Sequence, residues 1–152
     1  MNNHPNPADS FRKINWLENI GQPVEEADSF GSIQDIIQLI EHDADRFFEP
    51  PYTNPYERMC VEDHTAAAEL ETTGFEQELQ EAGRKAYLTA WSRLPIPELC
   101  GLVSDDVQTI LALLMSGKPL REFTKERMRW YEKGRMPWGY RGEYPQGRWI
   151  VL

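Results

Sequence analysis

Cys60, Asp63 and His64 lie within five consecutive residues and are the types from which a nucleophile, an acid and a base are built. On a helix, positions four apart are neighbours, so the Cys60 thiol and the His64 imidazole can meet on one flank with Asp63 beside them. A thiolate attacks and an adjacent imidazole activates it, which makes a hydrolase or transferase one reading of this trio. No further Asn or Asp can be placed as the group that orients the base. The simpler reading is a small buried cysteine, a half-exposed histidine and an aspartate bonded to a neighbouring helix.

Two acidic clusters invite a metal reading: Glu41-His42-Asp43-Ala44-Asp45 and Glu62-Asp63-His64. His42 and Asp45, one turn apart, could fill two positions around a divalent ion. The sequence has no HExxH pair, no paired Cys/His spacing and no D-x-D-x-D-G calcium loop. The clusters therefore read as solvated surface, and neither a metal nor another cofactor is expected. Phosphate-binding and acyl-transfer signatures are also missing. The glycines of Trp138-Gly139-Tyr140-Arg141-Gly142 follow no strand and lack a Walker lysine, and Gly-x-Ser-x-Gly does not occur. The balance leans away from an enzyme.

The final third has a different character. Lys118, Arg121, Lys125, Arg127, Arg129, Lys133 and Arg135 precede a tail in which Arg141 and Arg148 stand among Trp138, Tyr140, Tyr144 and Trp149. Arginine beside aromatic rings suits single strands of nucleic acid, where bases stack and guanidinium groups meet phosphate. It equally suits protein hot spots. Arg127, Arg129, Arg135, Arg141 and Arg148 with Trp138 and Tyr140 are the candidates for the nucleic-acid reading. A net charge of −9 and a pI near 4.8 weigh against it. In the alternative, Trp138, Tyr144, Trp149, Ile150 and Leu152 clamp the helices while arginine stems cover apolar surface.

Charge is unevenly placed. Residues 1–83 hold 18 acids against 4 bases, a net of −14, and residues 84–152 hold 7 against 12, a net of +5. The acids recur on nearly every turn without matching lysines, so local pairing does not account for them. Glu41, Asp43, Asp45, Glu49, Glu69, Glu71, Glu76 and Glu78 are the candidate binding residues. A concentrated negative face speeds association with a basic protein, such as an enzyme acting on nucleic acid. In charge character alone the chain resembles small acidic inhibitors such as bacterial immunity proteins and nucleic-acid mimics; no motif carries that likeness. The competing arrangement is neutralisation of these acids by the arginines of the final third.

The elements that must position these groups read as helices. At 152 residues, 40% apolar and 27% charged, one domain is expected over 10–152, after a flexible start at 1–9. No apolar run spans a bilayer, and the N-terminus has no secretory signal. Two cysteines make no disulfide framework, which points to a reduced cytoplasmic setting. Ser10 can cap a first helix through Ile20, stopped by Gly21 and Pro23. Ser32 opens a run from Ile33 to Phe48, and Pro55 a helix to about residue 71. Thr73-Gly74-Phe75-Glu76 opens one that closes at Pro95. Ser104 is expected to cap Asp105 and Asp106, and Thr124 to cap a last helix with Phe123 and Met128 as its staple. Only the tail at 148–152 is β-like. The prediction is an all-α fold: a compact bundle of five to seven short helices, with an extended aromatic and arginine-rich C-terminal arm packed on it.

Overall fold

Ser32 behaves as its type requires. Its hydroxyl accepts the Asp35 N–H at 3.2 Å, filling one of the donors a helix start leaves open. In a computed structural model that describes residues 14–22, 32–49 and 55–137, this cap opens α1 (Ile33–His42). Ile33 and Ile36 are buried on its inner stripe. The helix does not run on to Phe48. Asp43 turns extended (φ −159°, ψ 90°), and its carbonyl then accepts the Phe47 N–H to begin α2 (Ala44–Phe48). Asp is among the residues that best start a helix, so a change of axis is cheap there.

The remaining described elements are a short 3-10 turn (Trp16–Asn19), α3 (Pro55–Ala68), α4 (Glu76–Arg93), α5 (Pro97–Met115) and α6 (Glu122–Glu132). The all-α class is thus the observed one, and no strand occurs among the described residues. From Ile14 onward a 3-10 turn stands where the helix expected to follow Ser10 would continue; residues 10–13, the flexible start at 1–9 and the C-terminal arm from 138 lie outside the described residues.

Three expected helix starts are corrected. The helix expected to close at Pro95 ends at Arg93, but Pro97 rather than Ser104 opens α5, with Ile96 before it. Proline suits a first helical position because its missing N–H would have no partner there. Ser104 consequently lies inside α5, where its hydroxyl accepts from Gln108 Nε2 at 3.3 Å. At the start of α4 the capping residue is Phe75, with no side-chain cap, and the Thr73 hydroxyl bonds Glu71 instead. At α6 the helix begins at Glu122, and Thr124 spends its hydroxyl on another helix, as described below.

The centre of the protein is the α4–α5 hairpin, two helices joined by residues 94–96. Small residues on α4 (Ala82, Gly83, Ala86, Ala90) let α5 approach, and Leu99, Cys100, Val103, Val107, Ile110 and Leu111 fill the space. At Gly83 a Cβ would come within 2.2–2.8 Å of the Gln108 side chain, so only hydrogen fits without displacement. The 3-10 turn docks beside this pair. Trp16 stacks on Tyr131 with centroids 5.8 Å apart, and Arg93 Nη1 donates to the Ile20 carbonyl at 2.8 Å. Gly134 ends α6 at φ +77°, where a Cβ would lie 3.2 Å from the Asn19 and Gln22 carbonyl oxygens. A side chain there is strained by both backbone and space.

Candidate functional site

Three helices each bring one charged residue to an otherwise apolar face. Asp63 lies on the inner face of α3 with Cys60; Asp106 lies on α5 between Val103, Val107 and Ile110; Arg127 lies on α6 among Phe123, Thr124, Trp130 and Tyr131. All three are buried, and Arg127 is only 1% exposed. They meet. Arg127 Nη1 stands 3.4 Å from Asp63 Oδ2, and Arg127 Nη2 pairs with Asp106 Oδ1. Charges withdrawn from water persist only when opposed and hydrogen-bonded, and the surrounding groups supply several of the bonds. Thr124 donates its hydroxyl to Asp63 Oδ2 at 2.8 Å, and Tyr131 donates to Asp106 Oδ2 at 2.6 Å. Arg121, nearer the surface, donates Nε–H to Asp63 Oδ1 at 2.9 Å, Nη1 to Glu62 at 2.8 Å and Nη2 to the Met59 carbonyl at 2.6 Å. Phe123 lies beneath both guanidinium groups, 5.2 Å from Arg121 and 5.4 Å from Arg127.

This network uses up the groups that the catalytic reading needs. The Asp63 carboxylate accepts from Arg121, Thr124 and Arg127, which leaves it poorly placed to orient a base. His64 Nδ1 lies 2.8 Å from the Thr109 hydroxyl, a second tie between α3 and α5. Cys60 is buried, and burial pushes the thiol of the other cysteine, Cys100, up from its usual range. Among the described residues no three His, Cys, Asp or Glu side chains converge as a metal-ligand set. Arg121 and the α5–α6 loop do border a recess of about 550 Å³ with Ala66, Leu70 and Leu113 on its apolar wall and Glu69 and Lys118 at its rim.

Two half-withdrawn groups beside Arg127 have shifted acidity. Burial raises the Glu57 carboxyl, partly offset by Arg127. Burial lowers His64, Arg127 lowers it further, and Asp105 and Asp63 oppose. With His64 depressed below its ordinary 6.5, the unfolded chain binds a proton that the folded protein refuses. Its stabilising contribution is complete above that pH and declines as pH falls through it. Urea midpoints at about pH 7.5 and 5.5 should therefore drop on acidification by less in His64→Gln than in the parent. An equal drop in both would assign the slope to other groups.

The candidate acids sit elsewhere. Glu41, Asp43, Asp45 and Glu49 are exposed on α1, α2 and their ends; Glu69, Glu71 and Glu76 are exposed around the α3–α4 corner, where Glu78 is half-buried. Glu41, Asp45, Glu49, Glu69, Glu76 and Glu78 form no ion pair with another described residue, and Glu71 bonds Thr73. In the basic third, Arg127 is internal, Arg129 pairs with Glu126 at 2.7 Å, Lys125 pairs with Glu122 at 3.2 Å, and Arg135 lies over the Trp130 ring. Arg141, Arg148, Trp138 and Tyr140 lie outside the described residues, as do Tyr144 and Trp149. No helix among the described residues is long and apolar enough to cross a membrane.

The described residues form an all-α protein in which α3, α5 and α6 meet at a buried carboxylate–guanidinium network. No known family model matches the chain, and it has no significant match among curated proteins or solved structures.

Proposed function

We propose that the chain is a non-enzymatic, cytoplasmic helical protein that binds a basic protein through Glu41, Asp43, Asp45, Glu49, Glu69, Glu71, Glu76 and Glu78. Inhibition of a partner that itself acts on nucleic acid is the sharper form of the proposal. The observation that supports it most is where the arginines are spent. Arg121 and Arg127 are committed to Glu62, Asp63 and Asp106, whereas six of the eight candidate acids have no cation opposite them among the described residues. A carboxylate that forms no ion pair projects its field into solvent, which raises the encounter rate with a cationic surface.

The test is a paired measurement. The parent protein and a Glu41→Lys/Asp45→Lys variant are used to capture partners from native lysate at about 50 mM and about 500 mM salt, where screening lengths differ severalfold. The expected outcome is a cationic protein retained by the parent at low salt and released at high salt. For the purified pair, the variant should unfold at the parent's temperature yet bind at least about tenfold more weakly. Retention that ignores both salt and charge reversal would remove the electrostatic basis of the proposal.

A further inference from the structure

The outward face of α4 carries Leu88 and Trp91, exposed to 51% and 43%. Tyr87 stacks against Trp91 with the rings 9° from parallel. Buried apolar residues of this helix already face α5, so the stripe is a second apolar surface and takes no part in the hairpin. Its sequence spacing is regular: Gln77, Glu81, Arg84, Leu88 and Trp91 follow one another at intervals of four, three, four and three. That spacing keeps all five on one seam of the helix, of which only Leu88 and Trp91 are apolar.

Charge along the same helix is ordered. Glu76, Glu78 and Glu81 come first along it, and Arg84, Lys85 and Arg93 follow. Lys85 and Arg93 turn aside to Glu18 and the Ile20 carbonyl. Arg84, on the seam, makes no ion pair among the described residues, and Glu81 accepts only a 3.4 Å bond from Gln77. The complement of an acid-then-base helix with an apolar end is a helix of reversed charge order. The same helix running antiparallel has that order.

We propose that α4 is a self-association surface, pairing with α4 of a second copy about a two-fold axis. In that arrangement Glu81 of each copy faces Arg84 of the other, Leu88 is withdrawn from water over Gln77 in the first turn of the other's helix, Trp91 lies just beyond that helix's start, and the two helix dipoles oppose. A cleft of about 630 Å³ beside the seam, lined in part by Arg84, Leu88 and Ser92, leaves room for side chains of the second copy. The surface is independent of the acidic residues at 41–49, and a single helix pair implies a weak, concentration-dependent dimer.

Sedimentation velocity on the full chain from about 10 µM to about 1 mM tests this. The expected result is a shift from the 17.7 kDa monomer toward twice that mass. Leu88→Lys should raise the dissociation constant at least about tenfold while leaving the thermal midpoint of the dilute protein in place. Glu81→Arg and Arg84→Glu should each weaken association, and the double exchange should restore it, because a two-fold pair keeps its complementarity when both signs are swapped. A monomer at every concentration overturns the proposal. So does a dimer indifferent to Leu88→Lys, or a double exchange no better than its single parents.

Discussion

Arg127→Ala is expected to lower the free energy of unfolding by about 3–5 kcal/mol and the thermal midpoint by about 10 °C. The side chain is almost wholly buried between two buried carboxylates. Its removal leaves Asp63 with Thr124 and the more exposed Arg121, and Asp106 with Tyr131 alone. Asp106 then carries an uncompensated charge on the most apolar helix of the protein. The loss measures that stranded charge more than the net value of the intact pair, since dehydrating all three groups is itself expensive. The combined variant Asp63→Leu/Asp106→Leu/Thr124→Val/Arg127→Met/Tyr131→Phe, which removes the charges and both of their hydroxyl partners together, should recover most of the deficit. Urea denaturation of both variants decides the matter. A loss under about 1 kcal/mol for Arg127→Ala would mean that water or a rearranged side chain reaches Asp106.

The second large effect is Phe123→Ala, expected to cost about 3–5 kcal/mol. Phe123 is fully buried yet stands apart from the main apolar cluster. Its ring faces the guanidinium groups of Arg121 and Arg127. Truncation removes apolar burial, forfeits two cation–π contacts and opens a route for water to the ion pairs. Phe123→Leu keeps most of the buried volume and loses the π face, so it should cost about 1–2 kcal/mol. Because Phe123 and Arg127 share one environment, the double variant Phe123→Ala/Arg127→Ala should lose less than the two single losses together. Strict additivity in chemical denaturation would show that the ring and the arginine act separately.

Much of the helical plan was legible in the sequence, and its failures have physical causes. Ser32 and Pro55 announce their helices because capping is a local matter. Ser104-Asp105-Asp106 has the composition of a helix start but lies within one, because Asp106 answers to Arg127 on another helix rather than to the α5 backbone. Thr124 misleads in the same way: its hydroxyl goes to Asp63. Asp43 looks like one more surface acid on a continuous stripe, and only its backbone marks the change of axis.

The network itself left a trace that residue types alone do not convey. Asp63 falls in the middle of the apolar face of α3, Asp106 interrupts the apolar stripe of α5, and Arg127 falls on the inner face of α6. Each is a charged residue at a position where helical periodicity calls for an apolar one. Two carboxylates and a guanidinium in such positions are the signal. Reading Arg127 as one of a row of surface cations missed it, because composition does not record which face a residue occupies.

The span between Asp63 and Arg127, 64 positions along the chain, governs the order in which the molecule assembles. The α4–α5 hairpin closes across a short connection and can form early, whereas joining α3 to α6 demands a much longer closure. Contacts made after the rate-limiting barrier act chiefly on the lifetime of the native state. In stopped-flow kinetics Arg127→Ala should then steepen the escape from the native state and leave the refolding rate almost untouched, so that the arginine works as a brake on opening.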